Sequence, residues 1–195
     1  MNIHDADGPA PTIVNASVAR TRRYLTQREV DKLIEAARKH GRYGHRDAFL
    51  IAYRHGLRAS ELCDLEWHQV ELNGGRLHVR RSKRGTPSVH PMQGDEIRAV
   101  RRLQREQEAS PHVFASERGG PMSAKSFGTL FTRLGERARM PFPIFPHMLR
   151  HACGYALANA GHDTRALQAW LGHKNIQHTV RYTELSPDRF KDFWR

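Results

Sequence analysis

The segment Phe145-Pro146-His147-Met148-Leu149-Arg150-His151 begins the stretch that decides the fold of this chain. Proline suits the first turn of a helix, because the N–H that it lacks would have no partner there. Gly161 follows later, at a position where a glycine commonly ends a helix. Between them, apolar residues recur at helical spacing and predict a face that packs inward, namely Leu149, Cys153, Ala156 and Ala160. We therefore predict a helix that starts at Pro146 and stops at Gly161.

A second face of this predicted helix carries side chains that suit the binding of an anion. His147, Arg150 and His151 are spaced by three and four residues, so they are neighbours on the helix surface. The first turn of a helix also offers free N–H groups and partial positive charge, which favour a phosphate. A short helix leading to Leu171-Gly172-His173 follows, and then Tyr182. One site can therefore hold a guanidinium, two or three imidazoles and a phenol.

These motifs occur in a fixed order along the chain. The pattern His-x-x-Arg, then Leu171-Gly172-His173 and a tyrosine nine residues later, resembles the C-terminal half of a tyrosine recombinase catalytic domain of the phage integrase family. The first arginine motif of that family is matched by Gly56-Leu57-Arg58, and its hairpin lysine is matched by Lys83. The resemblance covers the chain from about Leu25 to Phe193. Each motif alone is a weak signal, but the ordered set is specific.

The resemblance implies a role in phosphoryl transfer for each matched residue. Arg58 and Arg150 would neutralise the non-bridging oxygens of a DNA phosphodiester, and His173 would add a hydrogen bond. Tyr182 would attack phosphorus and form a phosphotyrosine, which conserves the bond energy for religation. A free tyrosine has a pKa of about 10, so the guanidinium charges and a base would have to help it ionise.

Proton transfer falls to two further residues. Lys83 is the candidate general acid for the leaving 5′ oxygen, and His147 is the candidate general base or oxyanion-orienting group. His147 and His151 also have the spacing of zinc ligands on a helix, but no cluster of Cys and His completes such a site. We therefore expect no metal ion and no cofactor, and we expect His151 to be structural or to support another site residue.

The rest of the chain predicts the remaining elements of one domain. Thr26-Gln27-Arg28-Glu29 reads as a capping box that starts a helix ending near Gly41. A second helix is broken by Gly56, and further helices are predicted over residues 95–108 and after Ser123. Alternating apolar residues and turn signals between residues 68 and 91 predict three strands. The expected fold class is mainly α with a small antiparallel β-sheet (α+β), as in a tyrosine recombinase catalytic domain.

The ends of the chain suggest how this domain is extended. Residues 1–23 show no usable period and are predicted to form a flexible basic arm. Residues 24–195 would form the catalytic domain, with an apolar C-terminal tail at residues 184–195 that docks onto a neighbouring protomer. Most tyrosine recombinases carry a separate N-terminal helical domain, for which this arm is too short. The short form resembles the bacterial invertases that flip fimbrial promoter segments.

The charge of the chain favours a polyanionic partner. The formal net charge is +12 and the pI is about 10.5, which is typical of a protein that binds nucleic acid. We expect double-stranded DNA with paired half-sites, a free monomer, a homotetramer on synapsed DNA, and a DNA-bending accessory protein as a further candidate partner. The candidate DNA contacts are Arg20, Arg22, Arg23, Arg80, Arg81, Arg84 and Lys125.

Other classes of protein are disfavoured by the same composition. No apolar run is long enough to cross a membrane, and no signal peptide is recognisable. Cys63 and Cys153 both fall in apolar helical patterns, so we expect buried free thiols in a reducing compartment. The expected location is the bacterial cytoplasm, in association with the nucleoid.

Two other readings of the site stay open at this point. A type IB topoisomerase shares the chemistry and would relax supercoils without a cognate site. A basic DNA-binding factor without chemistry would not need a tyrosine after the His173 motif. Within the recombinase class, inversion, resolution and integration depend on where the DNA sites lie rather than on the active site.

Overall fold

Helices make up most of the regular structure of the chain. The computed structural model describes residues 22–184, apart from 43, 83, 84, 108, 109 and 117–119. In chain order its elements are α1 (Gln27–His40), α2 (His45–Arg54), α3 (Ala59–Cys63), a 3-10 helix (Trp67–Gln69), β1 (Val70–Glu71), β2 (Arg76–Val79), β3 (Ser88–Pro91), α4 (Gly94–Glu106), α5 (Ala124–Arg137), α6 (His147–Asn159), α7 (Thr164–Leu171) and α8 (Gln177–Glu184). The predicted fold class is confirmed.

The start of α1 follows directly from the predicted capping box. The Glu29 backbone N–H donates to the Thr26 hydroxyl oxygen at 3.4 Å, and the Thr26 N–H donates to the Glu29 carboxylate at 2.8 Å. The inner face of the helix buries Val30 and Leu33, both with no exposed surface. Gly41 is the C-cap, which confirms the predicted end of the helix.

The three strands form one antiparallel sheet in the order β1-β2-β3. Leu77 of β2 faces Val70 on one side and His90 on the other. Along β2, Leu77 and Val79 are buried whereas the alternate positions are exposed, as the period of a strand with one covered face requires. The turn between β2 and β3 contains Lys83 and Arg84, which lie outside the described residues.

Helix α6 brings the remaining parts of the site together. Its apolar face buries Leu149 and Cys153, and it packs against α2, α7 and α8. Pro146 is its N-cap, and the helix ends at Asn159, just before Gly161 adopts a left-handed conformation with φ of +88°. Cys63 and Cys153 are both buried and free, as predicted. Among the described helices, none is long and apolar enough to cross a membrane.

Candidate active site

Arg58 lies at the start of α3, where a glutamate of the next turn fixes it. Its backbone N–H donates to Glu61 Oε2 at 3.0 Å, and its Nη1 donates to Glu61 Oε1 at 2.6 Å. The Arg58 side chain keeps 24% of its surface exposed, whereas that of Glu61 keeps 1%. Glu61 therefore fixes the direction of the Arg58 guanidinium.

Glu61 serves more groups than the arginine three residues before it. Arg81 Nη1 donates to its Oε2 at 3.0 Å, and the backbone N–H and hydroxyl of Ser82 donate to its Oε1 at 3.0 and 3.2 Å. Arg150 Nη1 lies 4.0 Å from Oε2. Burial alone would raise the pKa of Glu61, but the Arg58 backbone N–H and the guanidinium charges outweigh it and hold this pKa below its usual value.

Arg150 lies inside the protein, on α6. Its guanidinium has no exposed surface; Nη1 donates to the Gly56 carbonyl at 2.5 Å and Nη2 to the Leu171 carbonyl at 2.6 Å. Burial, together with the Arg58 and Arg81 charges, lowers the pKa of Arg150 to about 10, so the group stays charged at neutral pH. Within the described residues its Nε has no hydrogen-bond partner.

These groups define an arginine cluster formed by Arg58, Glu61, Arg81 and Arg150. In the described part of the chain, three guanidiniums share one carboxylate, which leaves an excess of two positive charges in a mostly buried space. An uncompensated charge in a protein interior is costly, and an anion bound beside it removes that cost. The cluster therefore favours an oxyanion with two or more acceptor atoms, such as a phosphodiester.

Tyr182 is held in the same region by α8. Its side chain is 1% exposed, and its hydroxyl shares a 2.8 Å hydrogen bond with His151 Nδ1. The ring lies edge-on to that of Tyr155, with centroids 5.0 Å apart. Gly154 makes room for it, since a Cβ on that residue would lie 2.8 Å from ring atoms of Tyr182. Burial raises the pKa of Tyr182 to about 12, although the charges of Arg150 and Arg181 act in the opposite direction.

Two histidines flank the tyrosine. The ring of His173 is nearly parallel to that of Tyr182, with centroids 6.3 Å apart, and its Nδ1 lies 2.8 Å from the Thr179 hydroxyl. Burial and then the nearby arginine charges lower the pKa of His173 to about 3. Burial and then the charge of His147 lower the pKa of His151 to about 4. Both imidazoles are therefore neutral at pH 7 and act there as hydrogen-bonding groups.

The structure thus brings Arg58, Arg150, His173 and Tyr182 into one region of the molecule. His147 is exposed at the start of α6, with its ring centroid 4.6 Å from that of His151. Lys83 lies outside the described residues. The sequence analysis expected His151 to be structural or to support another site residue, but did not identify Tyr182 as the residue to which it is bonded. Its signal was present, because His151 is adjacent to the matched arginine and one turn from the matched histidine.

The candidate DNA contacts fall into four groups, of which the buried Arg81 is described last. Arg23, Arg80 and Lys125 are exposed, and Arg80 is bonded to His68 at 2.8 Å. Arg22 is paired with Glu29 and lies over the ring of Phe142, so it anchors the start of the domain rather than projecting from it. The residues Arg20 and Arg84 lie outside the described part of the chain.

Arg81 requires a correction. The sequence grouped it with the surface arginines, but its side chain has no exposed surface and ends on Glu61 and on backbone carbonyl groups. In the free protein, therefore, this guanidinium is not one of the exposed arginines. Among the described residues, no three His, Cys, Asp or Glu side chains converge in a way that could hold a metal ion.

Comparison with known proteins gives the family. Residues 23–189 match the family model described as the phage integrase family, and the chain belongs to that family. Type 1 fimbriae regulatory protein FimE of Escherichia coli strain K12 is 44% identical over 181 residues, covering 89% of this chain and 91% of that protein. Tyrosine recombinase XerD of Ralstonia nicotianae is 32% identical over 176 residues, covering 86% of this chain and 57% of XerD.

Solved structures show the same architecture. XerA recombinase superposes with a TM-score of 0.75 at 25% identity, covering 88% of this chain and 63% of that one. A lambda integrase tetramer bound to a Holliday junction superposes with a TM-score of 0.65 at 24% identity, covering 78% of this chain and 47% of that one. The lambda comparison concerns the fold alone.

Proposed function

We propose that this member of the phage integrase family is a site-specific DNA recombinase whose nucleophile is Tyr182. The observation that carries the proposal is the position of the Tyr182 hydroxyl beside neutral imidazoles and an arginine cluster with excess positive charge. A phosphodiester is a poor electrophile because its negative charge repels a nucleophile. The arginine cluster supplies the cations that compensate this charge without a metal ion.

The proposed cleavage step forms one bond and breaks one. The Tyr182 oxygen bonds to phosphorus and the bond from phosphorus to the 5′ oxygen breaks, leaving a 3′-phosphotyrosine and a 5′ hydroxyl. His151 orients the Tyr182 hydroxyl through their hydrogen bond, and His147 at the exposed start of α6 takes the tyrosine proton as the general base. Lys83 donates a proton to the leaving oxygen. Attack by the 5′ hydroxyl of a second strand reverses the step and completes strand exchange.

The structure of the free protein bears on how this reaction begins. The side chains of Arg150 and Tyr182 have almost no exposed surface. A scissile phosphate therefore reaches them only after DNA binding displaces part of what covers them. In this proposal the free protein is inert toward water and DNA, and assembly on DNA exposes the nucleophile.

Assembly and biological outcome follow from the same proposal. We propose that the arm of residues 1–23 and the exposed residues Arg80 and Lys125 bind double-stranded DNA at paired half-sites, in the bacterial cytoplasm at the nucleoid. Four protomers would join two sites, with the tail of residues 184–195 linking neighbours and a DNA-bending protein assisting. The similarity to FimE over most of both chains supports inversion of a DNA segment as the outcome.

A nicked suicide substrate tests the nucleophile. Wild-type protein should form a covalent adduct whose protein end maps to Tyr182, whereas Tyr182→Phe should bind DNA and form none. Tyr155→Phe is the matched control, because that ring packs against Tyr182 and the proposal gives it no role, so this variant should still form the adduct. An adduct that persists in Tyr182→Phe contradicts the proposal.

A second substrate tests the general acid. With a 5′-bridging phosphorothiolate the leaving group needs no proton, so Lys83→Ala should be slow on ordinary DNA and largely rescued on this substrate. An equal defect on both substrates would move the role to another residue.

Relaxation of supercoiled DNA that lacks any cognate site would instead favour the topoisomerase interpretation.

A further inference from the structure

Two adjacent arginines that follow strand β2 lie in opposite environments. Arg80 is exposed, whereas the side chain of Arg81 has no exposed surface. Burying a guanidinium is expensive, and replacing a buried ion pair by apolar residues of similar size often leaves stability unchanged or improves it. Stability alone therefore does not explain a charged side chain at position 81.

The contacts of Arg81 join separate parts of the active site. Its Nη1 donates to Glu61 Oε2 at 3.0 Å, the carboxylate that also orients Arg58. Its Nη2 donates to the Trp170 carbonyl, at the end of α7 and three residues before His173. The carbonyl groups of the turn that precedes Arg58 lie 3.4 and 3.5 Å from the same guanidinium.

Glycines make room for the stem of this side chain. Gly172 adopts a left-handed conformation with φ of +65°, and a Cβ there would lie 2.6 Å from Arg81 Cγ. A Cβ on Gly85 would lie 2.7 Å from Arg81 Cβ and 2.8 Å from the Gly172 carbonyl oxygen. A side chain at either glycine would therefore push Arg81 away from its partners. The backbone around the His173 motif is thus shaped to receive Arg81.

We propose that Arg81 is a positioning residue for DNA cleavage, which fixes the Glu61–Arg58 pair relative to the Leu171-Gly172-His173 segment. Arg150 donates to Leu171 in the same segment, so the two arginines that would hold the phosphate are aligned through one framework. A displacement of about 1 Å in such a framework can lower a rate by roughly a hundredfold. The inference rests on the proposed recombinase function.

The test compares cleavage of two scissile groups by protein at saturating concentration. One suicide substrate carries the ordinary phosphodiester, and the other a methylphosphonate, whose uncharged phosphorus depends less on aligned cations. Arg81→Gln should bind DNA with unchanged affinity and cleave ordinary DNA roughly tenfold to a hundredfold more slowly. Its defect on the methylphosphonate should be clearly smaller, as should that of Arg58→Gln. Arg76→Gln, an exposed arginine on the same strand, should behave as wild type on both.

A second perturbation reaches Arg81 from the opposite side. Gly172→Ala should reproduce the selective loss on ordinary DNA, whereas Gly128→Ala, whose added methyl group meets nothing within 4 Å, should not. If a melting curve shows that Arg81→Gln does not fold, Arg81→Lys answers the same question, because it keeps the charge and the stem but not the forked donors.

Two results would overturn the inference. One is wild-type cleavage of ordinary DNA by the folded Arg81 variant, and the other is an equal loss on both substrates, which marks a general structural defect. Absence of any adduct with wild-type protein would instead reject the proposed function itself, so the two failures are distinguishable.

Discussion

Two clusters of buried polar side chains lie on either side of the turn at His55 and Gly56. One is the arginine cluster described above. The other, called here the histidine cluster, is formed by His55, His90, Glu96 and Trp170. Arg81 lies between them, since it also approaches the carbonyl of His55 at 3.4 Å. Both clusters are mostly buried and each contains one glutamate, yet they differ in the charged groups that surround that glutamate.

The side chains of the histidine cluster contact one another. His55 Nδ1 lies 3.1 Å from His90 Nδ1, and the Ser88 hydroxyl lies 2.8 Å from His90 Nε2. His55 Nε2 lies 3.1 Å from Glu96 Oε1, an ion-pair distance without the alignment of a hydrogen bond. The indole of Trp170 stacks on His90, with ring centroids 3.7 Å apart and planes 18° from parallel. Within the described residues, His55 Nε2 and Glu96 Oε1 have no hydrogen-bond partner, so this ion pair alone compensates them.

The difference teaches how to separate a structural cluster from a binding cluster. Both glutamates accept the backbone N–H of the residue three positions before them, Glu61 at 3.0 Å and Glu96 at 2.6 Å. The arginine cluster carries excess positive charge, with three guanidiniums for one carboxylate in the described residues, whereas Glu96 meets one guanidinium, that of Arg54 at 3.5 Å. Burial and hydrogen bonding alone do not identify a functional site, whereas unbalanced buried charge does.

Replacing Glu61 and Glu96, one glutamate from each cluster, gives the largest expected difference in stability and cleavage. Glu61→Gln leaves three guanidiniums without a counterion, so the free energy of unfolding should fall by about 3–5 kcal/mol. Cleavage at saturating protein should also fall, because Arg58 is no longer oriented. Glu96→Gln should cost about 1–3 kcal/mol of stability and leave saturated cleavage unchanged. Urea unfolding and single-turnover cleavage measure the two quantities.

Added sulfate sharpens this comparison. A divalent oxyanion can replace the missing charge in Glu61→Gln and should restore part of its stability. Sulfate should not stabilise Glu96→Gln more than it stabilises the wild-type protein. Equal losses of cleavage in the two variants would show that the clusters are not functionally distinct.

The next largest expected effect is a difference in cleavage rate when two arginines of similar exposure are replaced. Arg58 and Arg54 keep 24% and 33% of their side chains exposed, and each pairs with a carboxylate at 2.6 Å. Arg58→Gln should lower cleavage on the order of a hundredfold or more, because it removes charge stabilisation at the phosphate. Arg54→Gln should leave saturated cleavage unchanged. Both should change stability by about 1 kcal/mol or less, as expected for partly exposed pairs. Normal cleavage by bound Arg58→Gln would remove Arg58 from the mechanism.

Most of the fold was predictable because its signals are local. The capping box at Thr26, the alternation along β2 and the periodicity after Pro146 each depend on residues within one or two turns. Even the burial of Arg81 had a local signal, since period-two alternation beyond Leu77 and Val79 places position 81 on the buried face. The net positive charge favoured a surface interpretation of this residue instead.

The rest of the site depends on contacts that no local pattern encodes. The hydrogen bond between His151 and Tyr182 joins residues 31 positions apart, and the contact between His55 and His90 joins residues 35 apart. The contact from Arg81 to Trp170 joins residues 89 apart. These pairs form only when separate helices and strands pack together, so the ordered motifs give candidates for the reacting residues but not the residues that hold them.

The smallest expected effect is a change in how stability depends on acid pH. It is tested at His90, which belongs to the histidine cluster. Burial, then the charges of His55 and Arg81, lowers the pKa of His90 to about 2, far below the ordinary value of about 6.5. The unfolded chain therefore binds a proton that the folded chain excludes, so stability is fully present above pH 6.5 and falls as the pH drops below it. One such group changes the slope of unfolding free energy against pH by at most about 1.4 kcal/mol per pH unit.

His90→Gln should flatten the decline in melting temperature between pH 6.5 and pH 4, without altering cleavage of bound DNA at neutral pH. The exposed His162→Gln is the matched control and should leave the slope as it is in wild type. An unchanged slope in His90→Gln would assign the acid lability to His151 and His173, and thus to the region of the active site rather than to the histidine cluster.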